Sequence, residues 1–245
     1  MTFYKMKKTL LLLGFILITT SSYSQEIIEA IRENDVAKVA ALAENKKKLN
    51  ATGSNGIFPL FSAAAEGNLE IAKLLISKGV NVNQTLVNGG TALNMACQEG
   101  YYDIVKYLLE NKANPNLKDV NGWTALRFAA RNGRTDIVKL LVEYGGEVDS
   151  RANDLATPFA SACGKGHIEI AQYLLEKGAN VDNQDKDNDT PLMYCIENGN
   201  RSLVALILQN QPNLNLKNNK GKTAFDFCKE FGQPELLKML EQNKK

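Results

Sequence analysis

Four cysteines, one histidine and an alternating run of aspartates are the residues here with chemistry to react or to bind metal. Cys97, Cys163, Cys195 and Cys228 could pair as disulfides or ligate zinc. No two of them follow a Cys-x-x-Cys spacing, so a zinc site is not expected. His167 could act as a general base. With one histidine and no suitably placed Ser or Cys nucleophile, no catalytic triad can be assembled. Asp185, Asp187 and Asp189 alternate with Lys186 and Asn188, much as acids do in a calcium loop. The glycine and distant glutamate of such a loop are missing, which leaves a solvated turn as the better reading. A phosphate-cradling glycine loop is also lacking. The expectation is a chain without catalytic residues, metal ligands or cofactor.

The elements that must position these residues follow from the glycines. Gly67, Gly100, Gly133, Gly166, Gly199 and Gly232 lie 33 residues apart, which marks a small unit copied in tandem. The second copy runs Gly89-Gly90-Thr91-Ala92-Leu93-Asn94-Met95-Ala96-Cys97-Gln98-Glu99-Gly100-Tyr101-Tyr102-Asp103-Ile104-Val105-Lys106-Tyr107-Leu108-Leu109. In each copy Thr followed by Pro or Ala opens a short helix, as in Thr157-Pro158 and Thr190-Pro191. A pair of small residues then allows close helix approach, and the fixed glycine ends the helix through a positive φ. A second helix follows with an apolar stripe such as Ile137-Val138 and Leu140-Leu141. Gly79, Gly145 and Gly178 end that helix in three copies. The segments 81–83, 114–116 and 180–182 (Asn-Val-Asn, Asn-Pro-Asn, Asn-Val-Asp) then lead to a glycine-containing turn tip.

This frame explains the cysteines. Cys195 and Cys228 share the slot of Ala63, Ala96, Ala129 and Ala162, and Cys97 and Cys163 share the slot of Ala64 and Ala130. They read as small buried hydrophobes. Equivalent slots in adjacent copies lie about 10 Å apart at helix packing distance, beyond the roughly 7 Å reach of a disulfide. Cys163 and Cys195 occupy different slots in neighbouring copies, so their pairing stays open.

The pattern Gly-x-Thr-Pro-Leu-x-x-Ala-Ala, then Gly, then Ile-Val-x-x-Leu-Leu and Asn-Val-Asn, resembles the ankyrin repeat over about residues 54–242. The resemblance implies an all-α solenoid of stacked helix-turn-helix units with β-turn or hairpin tips. It also implies a partner protein held on the concave face. Where the family often carries His after Thr-Pro, this chain has Phe61, Asn94, Arg127, Ala160, Met193 and Asp226. Lys112 and Gln211 replace the second-helix glycine, and looser helix ends are expected there.

The expected organisation is a signal peptide (1–24), an N-terminal capping repeat (25–53), and six repeats (54–86, 87–119, 120–152, 153–185, 186–218 and 219–242) with a polar tail (243–245). Lys5, Lys7 and Lys8 precede the apolar run 10–18, and Ser22-Tyr23-Ser24-Gln25 offers cleavage after Ser24. A retained anchor is the alternative, although that run is about half the roughly 20 apolar residues of a membrane-spanning helix. No cysteine follows it to carry lipid. Export and a composition rich in Lys, Asn and Ile point to a bacterial periplasm, or to secretion. The chain holds 29 basic and 27 acidic residues; residues 1–24 contribute three lysines and no acid, leaving 26 against 27 and a net charge of −1. That balance argues against nucleic acid as partner.

Candidate binding residues are those the repeat does not require. The third repeat carries Trp123 at its tip, Arg127 and Arg131 one turn apart, and Arg134 after its glycine. Tyr101 and Tyr102 form the matching loop of the second repeat, with Asn94 and Gln98 on its first helix. Trp, Tyr and Arg dominate interface hot spots. The competing reading packs Trp123 on a neighbouring tip and pairs the arginines with Glu99 or Asp154. The functional expectation is a monomeric, exported, non-catalytic scaffold that binds a protein. A protein that shields a periplasmic enzyme or neutralises a toxin is the special case. A hydrolase with a hidden site is the rival, against which the unbroken 33-residue period leaves no insertion to house a pocket.

Overall fold

The computed structural model describes residues 23–45, 49–53 and 56–243. The expected signal peptide, apart from Tyr23 and Ser24, lies outside the described residues, as do Lys46, Lys47, Lys48 and the last two residues of the tail. The chain divides into two compact units, Met1–Asn114 and Pro115–Lys245.

The first unit holds α1 (23–32), α2 (Val36–Leu42), α3 (Pro59–Ala65), α4 (Leu69–Ser77), α5 (Ala92–Glu99) and α6 (Tyr102–Glu110). α1 buries Ile27, Ile28 and Ile31. Its exit passes through Asn34 at φ +57°, after which Asp35 caps α2 by accepting from the Lys38 amide at 2.9 Å. Tyr23 donates its hydroxyl to the Leu42 carbonyl, tying the start of α1 to the end of α2. α3 packs on α5, and α2, α4 and α6 stack in turn.

The second unit holds α7 (Ala125–Arg131), α8 (Thr135–Glu143), α9 (Pro158–Lys165), α10 (Ile168–Glu176), α11 (Pro191–Glu197), α12 (Arg201–Gln209), α13 (Ala224–Glu230) and α14 (Pro234–Gln242). Its odd-numbered helices pack on one another in sequence order, and so do its even-numbered ones. Each unit is thus built of helical pairs in two layers, with the apolar stripes closed between them. Among the described residues the only β pairing is the isolated bridge Thr85–Thr91 at one turn tip.

Local chemistry sets the register. Thr91, Thr124, Thr157, Thr190 and Thr223 are N-caps, each accepting from the backbone amide three residues on. In the first repeat Phe58 stands at that position without a side-chain cap, and Pro59 opens the helix. Gly67 and Gly133 show that the repeat glycine answers two demands. Both sit at positive φ, +72° and +71°. A Cβ there would also lie 2.7 Å from the ring of Tyr101 and of His167 respectively. The residue following the next repeat's glycine is laid across this one's bare Cα, a requirement beyond backbone conformation.

Lys112 and Gln211 hold the same left-handed turn as the glycines they replace, at φ +68° and +52°. At Lys112 the looser helix end expected does not form, whereas after Gln211 Pro212 has no amide to donate. Ala113 donates back to the Leu108 carbonyl at 2.9 Å, as Gly146 does to Leu141 at 2.8 Å. A lysine pays the left-handed cost because the closing hydrogen bond and the burial of Ala113 hold the turn.

Between repeats runs a ladder absent from the sequence reading. In the first unit Asn50 and Asn83 accept from the backbone amides of Asn81 and Asn114, at 2.8 and 2.7 Å. In the second, Asn116, Asp149 and Asp182 accept likewise from Glu147, Asn180 and Asn213 at 2.9, 3.0 and 3.0 Å. A short side chain at a fixed slot thus satisfies a loop amide of the following repeat.

All four cysteines are buried free thiols. Burial pushes the Cys97 thiol upward and the Cys228 thiol to about 11, which makes both poor nucleophiles. Burial, with the Cys195 thiol alongside, pushes the Cys163 thiol well above its ordinary range.

Candidate functional site

The third repeat, in the second unit, gathers Trp123, Arg127 and Arg131. Asp119 accepts the Trp123 amide at 2.8 Å and thereby closes the turn that carries the indole. Thr124 then starts α7, whose pitch sets Arg127 and Arg131 on one face four residues apart. The guanidinium carbon of Arg127 stands 4.2 Å from the centre of the Trp123 ring, and that of Arg131 stands 5.4 Å away. Phe128 packs against the indole at 5.1 Å between centroids. The half-buried indole is held as a platform between two cations and an aromatic ring.

The two arginines have different jobs. Arg127 is 4% exposed. It donates twice to Asp154, both bonds 2.6 Å, and its Nε donates to Ser161 at 3.1 Å. This fork-to-fork pair joins α7 to the tip of the fourth repeat. The guanidinium holds the Asp154 carboxyl below its ordinary range. Arg127 is therefore a positioning residue, fully engaged within the fold. Arg131 is exposed, and among the described residues it makes no ion pair. Arg134 is exposed at the N-cap of α8.

The groove beside α7 continues over α9 and α11. Arg131, Asp154, Ser161, Gly164, Lys165, Tyr194 and Glu197 are among the residues lining a cavity of about 410 Å³. Asp185 sits in its wall as a structural acid. It accepts from the amides of Asp187 and Asp189, both at 2.9 Å, and from the Tyr194 hydroxyl. Burial, with Asp185 alongside, pushes the Tyr194 phenol upward. Burial also raises Asp189, which accepts from Asn218 at 2.8 Å. The Asp185 and Asp189 carboxylates are thus spent on shaping a turn, while Asp187 is exposed beside them. Among the described residues no group of three His, Cys, Asp or Glu could hold a metal ion. His167 begins α10, its Nε2 lies 3.1 Å from the Arg131 carbonyl, and its ring covers Gly133.

The candidates of the second repeat lie in the first unit. Asn94 holds the slot of Arg127 one repeat earlier, and it is buried with its Nδ2 unbonded. Gln98 is exposed and donates to Glu99 at 3.0 Å. Tyr101 and Tyr102 are 37% and 41% exposed, but the Tyr101 ring rests on Gly67 and so also serves the fold. The competing reading's Asp154 does pair with Arg127, whereas sequence reasoning missed Lys165, Gly164, Tyr194 and Glu197 as groove residues. Gly164 and Glu197 hold the slot of Arg131 on α9 and α11, and that match was the available signal.

Among the described residues no helix is long and apolar enough to cross a membrane. A search of curated proteins returned no significant match. A family model of ankyrin repeats matches the chain in three copies, at residues 27–119, 111–185 and 178–245. With paired helices, glycine-closed turns and that match across nearly all of its length, the chain belongs to the ankyrin-repeat family.

Proposed function

We propose that the protein is an exported, non-catalytic scaffold that binds one partner protein through the inner face of its first helices, centred on the third repeat. Ankyrin repeats are protein-interaction scaffolds, and the family is generally non-catalytic. The observation that carries the reading is the Trp123 platform. The fold needs no tryptophan at a turn tip, yet this one is held half-buried between two guanidinium groups, and Arg131 makes no ion pair among the described residues. A pre-organised aromatic beside a free arginine is the composition of an interface hot spot. Export rests on the basic, apolar N-terminal segment.

Trp123→Ala combined with Arg131→Ala tests the reading, because neither side chain carries the Arg127–Asp154 bridge. The mature protein should capture a stoichiometric partner from envelope extract. The double variant should lose it while its thermal unfolding stays near wild type. Undiminished capture by the double variant overturns the assignment.

A further inference from the structure

We infer that Gly164 opens a notch in the groove that takes an acidic side chain of the partner, bridged by Arg131 and Lys165. The inference rests on the interaction reading above and specifies the chemistry of its central contact. Gly164 lies in the last turn of α9, outside the left-handed region that would demand glycine. A Cβ built there meets nothing within 4 Å, so packing does not demand glycine either. Glycine in a helix nonetheless weakens it relative to alanine. The same slot carries Ala65, Gln98, Arg131, Glu197 and Glu230 in the other repeats, so only here is the helix face bare. Two conditions that usually explain a helical glycine are therefore absent, and what remains is the space it leaves in a cavity of about 410 Å³.

Charge selects the occupant. The carboxylates deepest in this groove are already committed: Asp154 to Arg127, and Asp185 to Tyr194 and two amides. Arg131 and Lys165 make no ion pair among the described residues, and both line the notch. The Trp123 ring lies against the Arg131 guanidinium and lowers the cost of ordering it. Asp187, Glu197 and Lys186 also line the groove; among the lining side chains that no ion pair or hydrogen bond engages in the described residues, three cations (Arg131, Lys165, Lys186) stand against these two acids, an excess that favours a carboxylate. A guanidinium and an ammonium converging on one carboxylate give charge-assisted bonds to a side chain entering from an extended segment.

Arrays of nonapeptides, randomised except for a central Glu, Gln or Lys, test this with the purified mature chain. Central Glu should be enriched at least tenfold over central Lys at low salt, and the enrichment should fall as salt rises. Gly164→Leu and Arg131→Ala should each abolish the preference. Gly164→Ala, which the open space accommodates, should keep the circular dichroism spectrum and melting behaviour and weaken the preference in part. Equal or reversed enrichment, or a Glu preference unchanged in Gly164→Leu, overturns the notch. If Gly164→Leu still captures the partner that the Trp123/Arg131 double variant loses, the notch fails while the interaction reading stands.

Discussion

The third and fourth repeats place the same frame side by side in one compact unit and fill it in opposite ways. Both start their first helix with a threonine cap, Thr124 and Thr157, and both end it at a glycine, Gly133 and Gly166. Between those points α7 presents Arg127 and Arg131, where α9 presents Ala160 and Gly164. At the tips the contrast reverses. The third repeat turns through Gly122 at φ +77°, and the fourth forces Leu155 through the same turn at φ +59°. The frame fixes where side chains point and leaves their size and charge on the inner face free. Departures inside a common frame are therefore where function is to be sought.

The contrast can be broken most sharply at Arg127. Arg127→Ala removes a buried fork and strands Asp154 and Ser161, so it should cost about 2–3 kcal/mol in denaturant unfolding, discounted for the half-exposed Asp154. The equivalent fourth-repeat change, Ala160→Gly, should cost about 1 kcal/mol, as the loss of a helical alanine does. Asp154 has a depressed carboxyl, so its contribution is present above its unfolded pKa and is lost as pH falls through the depressed value. Wild type should thus lose stability below about pH 4, the ordinary aspartate range, more steeply than Arg127→Ala does. Matching acid limbs would show that the bridge carries no such linkage.

Next in size is Gly122→Ala. A Cβ there would lie 2.9 Å from the Asn153 amide, in a left-handed turn, so a loss of about 2 kcal/mol is expected. Thr124→Ala and Thr157→Ala should each cost about 1 kcal/mol, and equally, if the caps belong to the shared frame. A clear inequality would mean that the neighbouring arginines feed back on the cap. The smallest effect runs the other way: Leu155→Gly should gain about 0.5–1 kcal/mol by relieving an exposed, left-handed leucine. A loss on that substitution would show that Leu155 makes a contact the fold uses.

What the sequence made legible follows the same division. The helical pairs, the caps and the buried cysteines were readable because each depends on residues within one 33-residue copy. Trp123 with Arg127 and Arg131 was readable as an exception to the copy. Pairing of the arginines with Asp154 was offered only as an alternative, because the choice between Arg127 and Arg131, and the burial of the first, depends on packing against the next repeat's tip. The Gly67–Tyr101 and Gly133–His167 approaches were hidden for the same reason. Lys112 misled because residue preference suggested a loose end, whereas the hydrogen bond from Ala113 that closes the turn overrides it. Gly164 escaped notice because a missing side chain leaves no residue type to remark on.

The ladder of Asn and Asp side chains has a consequence for how such a chain can lengthen. Each rung joins a side chain of one repeat to a backbone amide of the next. Every residue except proline brings that amide, so the rung asks nothing of its neighbour's identity. A copy can then be duplicated, deleted or exchanged in a single genetic step without a matching change next door. The chain can accumulate new surfaces by recombination while its joints stay generic.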